Sequence, residues 1–170
     1  SQAFGVAATT LVGQSLGANN LAKAEQYARF VHKTAVGTAC TMGLMFILFS
    51  HPMARLYTSD VVVAGMAGTV LKILALAQPG QSTQLTLAGA LRGAGDTLYP
   101  LYASVMGIWV FRVGATFLFV NVFSWGLSGA WIALVMDQYI RSAVVGLRFH
   151  SGKWKYLKAK VGDRDHAEVI

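Results

Sequence analysis

A chain of 170 residues that is 55% hydrophobic and only 12% charged falls far below the roughly 25% charge of ordinary soluble domains, which excludes a conventionally solvated surface. The net charge of +7 sits late: half of the Lys and Arg lie from Arg141 onward, most of them in RFHSGKWKYLKAKVGDR. A basic segment directly after an apolar span reads as a juxtamembrane tail and not as a nucleic-acid footprint.

Spanning a bilayer takes about 20 largely apolar residues. The first stretch, AFGVAATTLVGQSLG, is too short and is expected to be the second half of a cut helix. No initiator Met or basic leader precedes it, so no signal peptide is expected. Thr34–Ser50, TAVGTACTMGLMFILFS, is free of charge and predicts the next span, after a loop over Asn19–Lys33. A third runs from about Val61 to Leu91, interrupted by Lys72 alone. The fourth, LYPLYASVMGIWVFRVGATFLFV, carries Arg112, and the last, GLSGAWIALVMDQYIRSAVVGL, contains Asp137 and Arg141. The expectation is an all-α polytopic membrane protein, a bundle of about four to five transmembrane helices over residues 1–150, with a basic tail at 151–170.

Antiparallel connectivity puts Lys23, Arg29, Lys33, Arg92 and the tail on one side, and only Arg55 on the other. The positive-inside rule then places the tail and both Gly-Ala turns in the cytoplasm of a multi-pass plasma (inner) membrane protein. Tyr57 and Trp125 on the outer side, and Trp154 and Tyr156 on the inner, suit interfacial anchoring. A weak internal echo aligns Thr10–Asn20, TLVGQSLGANN, with Thr86–Asp96, TLAGALRGAGD. Gly at such helix ends supplies a left-handed cap, and the small residues before it permit close helix contact.

Polar chemistry inside the spans is sparse. Pro79 removes a backbone donor and frees the carbonyl near Ala75, which in lipid must face protein or a water-filled cavity. Gln78, Gln81 and Gln84 step by three and fan over about 120° of helix surface; they either wall a cavity or cross-link helices beside a static bend. Asp137 is an intramembrane acid, with Arg141 four residues on at ion-pairing distance; a structural pair and a coupling role both remain open. Lys72 is expected to snorkel towards the interface; for Arg112 the alternatives are the same or packing against Trp109, one turn away. Arg92, Gly93, Gly95 and Asp96 form a helix cap and turn, with Arg92 and Asp96 available for pairing between lobes. No strand or P-loop Lys accompanies these glycines, so nucleotide binding is not expected. One cysteine, Cys40, and four scattered histidines offer no disulfide framework or zinc spacing.

Two stretches, TTLVGQSLGANNLAKAEQYAR and QLTLAGALRGAGDTLYP, followed by WVFRV and GLSGAWIAL, resemble the C-terminal lobe of multidrug and toxic compound extrusion (MATE) transporters. The resemblance runs over nearly the whole chain and implies helices eight (partial) to twelve, within one six-helix lobe of a twelve-helix transporter whose N-terminal lobe is the partner. It further implies a secondary antiporter, not an enzyme, with no cofactor, exporting amphipathic or cationic small molecules in exchange for sodium ions or protons. Membrane lipids are the surrounding partners. Some family members carry a cation-binding acid in the tenth helix; the matching position here is Gln81, whose amide can ligate sodium but cannot exchange a proton. A lipid-linked oligosaccharide flippase of the same superfamily stands as the alternative, as does an inert scaffold or gene remnant.

Overall fold

The computed structural model describes residues 1–57, 60–122, 124 and 126–156. Helices α1 (Gln2–Gly17), α2 (Leu21–Tyr57) and α3 (Val61–Gly93) are followed by a span that begins as α4 (Leu98–Met106). This span passes through a π-helical stretch, Gly107–Arg112, then α5 (Val113–Phe117) and a second π-helical stretch, Leu118–Val122. Helix α6 (Gly126–His150) and a 3-10 turn, Lys153–Tyr156, complete the order. Four helical segments, Leu21–Leu56, Val61–Gly93, Leu98–Val122 and Ser128–His150, are long and apolar enough to cross a membrane. No strand occurs among the described residues.

The helix α2 corrects the expected loop over Asn19–Lys33. Ala24, Ala28, Val31, Ala35 and Ala39 recur at helical spacing and are all buried on one face. The Asn20 side chain caps the start, accepting the Lys23 N–H at 3.0 Å, and Glu25 pairs with Arg29 at i,i+4. The 37 residues reach about 55 Å at 1.5 Å per residue, so the charged first turns extend the helix well past its apolar section. His51–Tyr57, expected as loop, is also helical and carries Pro52 inside the helix.

Helix α3 starts at Asp60, whose Oδ1 accepts the N–H groups of Val62 at 2.8 Å and Val63 at 3.3 Å. It packs against α1, α2 and α6 and forms the centre of the bundle. The internal echo is a structural repeat at both helix ends. Ala18, Asn19 and Asn20 donate backbone N–H groups to Gln14, Leu16 and Ser15; Ala94, Gly95 and Asp96 donate to Ala90, Arg92 and Leu91. The left-handed residue is Asn19 (φ 57) in the first turn and Gly95 (φ 87) in the second. Cap duty therefore falls two residues beyond Gly17 and Gly93.

Gly93 has another task. It faces α1 along a seam in which Gly5, Thr9 and Gly13 oppose Leu85, Gly89 and Gly93 at four-residue steps. A Cβ on Gly89 or Gly93 would overlap the carbonyl of Gly5 or Thr9, and one on Gly5 would lie 2.9 Å from the Leu85 carbonyl oxygen. Only hydrogen side chains allow two backbones this close. The approach lets the Thr9 hydroxyl donate to the Gly89 carbonyl at 2.9 Å.

At the opposite end of the sequence, Trp154 is buried, stacked on Phe149 at 5.2 Å and donating its Nε1–H to the Phe149 carbonyl at 2.9 Å. It is a core residue, not the interfacial anchor expected. Lys155 pairs with Glu25, tying the segment after α6 to α2. Trp125 and residues 157–170 lie outside the described residues, as do the side chains of Tyr57 and Tyr156.

Candidate functional site

The four expected path residues, Gln78, Pro79, Gln81 and Gln84, lie on α3, and the structure separates them. Pro79 sits within a continuous helix, and the carbonyl it frees, that of Ala75, faces Gly43 of α2, where a Cβ would lie 3.0 Å away. One residue later, the Leu76 carbonyl accepts the Tyr139 hydroxyl of α6 at 2.9 Å, and the Tyr139 ring packs over Gly80. The proline turn is thus packed between α2 and α6, and α6 supplies a donor to one of its carbonyls. Gln78 turns its Cβ towards Gly43. Gln84 is buried and lines a cavity, and Gln81 is half-buried, one turn before Leu85.

Two cavities flank this part of α3. One, of about 400 Å³, lies against α1 and is lined by Gly5, Thr9, Leu85 and Arg92, among others. The second, of about 500 Å³, lies against α4 and α6, with Gln84, Leu85, Ala88, Arg92, Ser104 and Arg141 in its wall. Leu85 and Arg92 border both. Gln81, Leu85, Ala88 and Arg92 follow one another at four- and three-residue steps and form one stripe, so Gln81 shares the face that lines the cavities. Also on α3, the hydroxyls of Ser82 and Thr86 are fully buried and have no hydrogen-bond partner among the described residues, a polar seam that sequence reasoning missed. Their small size in an apolar run was the available signal. His32 on α2 meets the Thr83 hydroxyl at 3.2 Å nearby.

The charged residues converge on Asp137, which is fully buried. Arg141 donates from Nη2 to Asp137 Oδ2 at 2.7 Å and to Gln138 Oε1 at 3.0 Å. Arg112 does not reach for the interface; its Nε lies 3.8 Å from the same Oδ2. A π-helical stretch has more residues per turn than an α-helix, which shifts the side-chain register; Arg112 ends such a stretch and faces α6. The stretch opens at Gly107, where a Cβ would overlap the Arg141 side chain and lie 2.7 Å from Asp137 Oδ1. Lys72 is exposed on the outer surface of α3.

In the turn after α3, Asp96 does not wait for a partner in another lobe. Its Oδ2 accepts from Arg148 Nε of α6 at 2.7 Å, with that guanidinium 4.3 Å above the Tyr99 ring. Arg92 turns its Nε back to the Ala88 carbonyl at 3.2 Å and remains exposed beside the cavities. Among the described residues no three of His, Cys, Asp and Glu come together as a metal site.

A family model described as MatE matches residues 1–118. The chain belongs to the MATE family. It is 37% identical over 155 residues, 90% of this chain and 33% of the relative, to a Thermotoga maritima protein named "Probable multidrug resistance protein NorM". A Pasteurella multocida protein of the same name is 32% identical over 149 residues, covering 85% of this chain and 32% of its own length. Among solved structures, an inward-facing multidrug resistance MATE transporter of the MOP superfamily superposes with a TM-score of 0.80 at 23% identity, over 90% of this chain and 36% of that one. A eukaryotic MATE transporter gives 0.87 at 21% identity, over 96% and 36%. The chain spans about a third of the length of the curated relatives it matches. The all-α, multi-pass membrane architecture is thus the fold of MATE transporters.

Proposed function

We propose that this chain is the C-terminal lobe of a secondary antiporter that exports amphipathic or cationic compounds in exchange for sodium ions or protons by alternating access. The observation that carries the reading is the stripe Gln81–Leu85–Ala88–Arg92 on α3, of which Leu85 and Arg92 line the cavity against α1. In secondary transporters, binding sites lie at the interface between such repeated halves. The relatives named for multidrug resistance support the same substrate class.

Asp137 is poorly suited to bind the coupling ion, because two guanidinium groups already lie within 4 Å of its Oδ2 and would repel a sodium ion there. If coupling is to protons, the exchanging carboxylate is expected in the N-terminal lobe; on this side Gln81 offers a neutral oxygen that can ligate sodium. In the full-length transporter, Gln81→Leu is expected to cut drug efflux several-fold at unchanged membrane abundance; unchanged efflux would remove Gln81 from the path.

The excess of Lys and Arg on one side supports a cytoplasmic tail and cytoplasmic turns after α1 and α3. On a Cys40→Ala background, an impermeant thiol reagent applied outside is expected to label Ser124→Cys and to spare Ser151→Cys. The reverse pattern would invert the orientation.

A further inference from the structure

The cavity between α3, α4 and α6 has a wall chemistry unlike that of a cation path. Two arginines, Arg92 and Arg141, line it, and among the described residues no acid does. Arg141 is 9% exposed, yet its Nε has no hydrogen-bond partner. A buried charged donor without an acceptor is costly, more so inside a membrane protein. The Asp137 carboxylate does not cancel the positive field, because Arg112 shares it with Arg141. Gln84 and Ser104 add polar atoms, while Leu85 and Leu101 supply apolar wall. The volume of about 500 Å³ falls in the range of small-molecule sites, about 300–1,000 Å³.

We propose that this cavity binds an anionic phosphate or carboxylate group carried on an apolar body, with Arg92 and Arg141 as its charged contacts. Arg141 is held from behind by Asp137 and Gln138, which fixes its side chain in the cavity wall. Arg92, exposed at the mouth of the cavity, meets the anion first. The source of the group is either a lipid headgroup or a soluble amphipathic anion, since both present the same chemistry. This site does not rest on the drug-export reading, because it is defined by binding alone.

The test uses the full-length transporter, purified in an uncharged detergent and titrated calorimetrically with three probes. These are phosphatidylglycerol in mixed micelles, phenyl phosphate and, as cationic counterpart, phenyltrimethylammonium. Saturable binding of at least one anion is expected, weakening as salt is raised. Arg92→Gln is expected to weaken it at least tenfold and Arg92→Lys much less; the doubly neutral Asp137→Asn/Arg141→Gln variant should also lose it. Binding of phosphatidylglycerol alone identifies a lipid headgroup as occupant, and binding of phenyl phosphate as well identifies a soluble anion. Absence of saturable binding by both anions overturns the site. So does affinity that Arg92→Gln leaves within twofold, or equally tight binding of the cation that these substitutions weaken in parallel.

Discussion

Adding one methyl group at Gly89 is expected to destabilise the bundle by about 1–3 kcal/mol, the usual range for overpacking a tight interior. The new Cβ would meet the Gly5 carbonyl and backbone around it, and backbone cannot rotate aside as a flexible side chain can. Alanine normally improves a helix interior by about 1 kcal/mol over glycine, so the loss opposes intrinsic propensity. Gly65→Ala supplies the matched control in the same helix: nothing lies within 4 Å of its added Cβ, and its stability should be unchanged or slightly raised. Thermal unfolding of the full-length protein in detergent, followed by size-exclusion chromatography, measures both. Equal behaviour of the two variants would show that α1 and α3 do not meet along this seam.

The second large effect centres on Asp137. Asp137→Asn leaves Arg141 and Arg112 facing each other without an anion, and removing one member of a buried pair costs about 3–5 kcal/mol. Arg141→Gln should be milder, because Arg112 already lies 3.8 Å from the orphaned carboxylate and can take over part of the compensation. The double variant Asp137→Asn/Arg141→Gln should recover most of the stability lost in Asp137→Asn. Folded yield of the three variants and drug efflux in proteoliposomes, at matched insertion, decide the role. A double variant that folds normally and exports normally fits a structural pair. One that folds normally but is inert to an ion gradient would make Asp137 the coupling residue.

Hydropathy alone was enough to read the apolar spans, because membrane burial is a property of each segment's own composition. Asp137–Arg141 was legible for the same local reason, since both residues lie on one helix four positions apart. The approach of Arg112 was not. It depends on how a π-helical stretch rotates one span against another, and no pattern in GIWVFR announces that stretch. The opening turns of α2 were misread because their Lys, Arg, Glu and Gln outweigh the alanines in any hydrophobicity average, although Ala24, Ala28 and Ala35 repeat at helical spacing. At the repeated turns, the sequence echo located the caps to within two residues; it did not show that Gly93 is occupied against Thr9, leaving the left-handed conformation to Gly95. Asp96 misled for a further reason: its partner Arg148 lies 52 positions away, beyond the reach of local spacing rules.

The glycine seam also constrains how the protein is made. Thr9 and the Gly89 carbonyl it binds are 80 positions apart, so at about 5–20 residues per second a ribosome needs roughly 4–16 s to deliver the second after the first. During that interval α1 has been synthesised with bare backbone at Gly5 and Gly13 and without α3 to cover it, although α2, which also packs on α1, arrives earlier. The seam can close only after the whole of α2 and nearly the whole of α3 have emerged. Until then the glycine face of nascent α1 is open to mispairing, and a substitution that slows insertion of α3 prolongs that exposure.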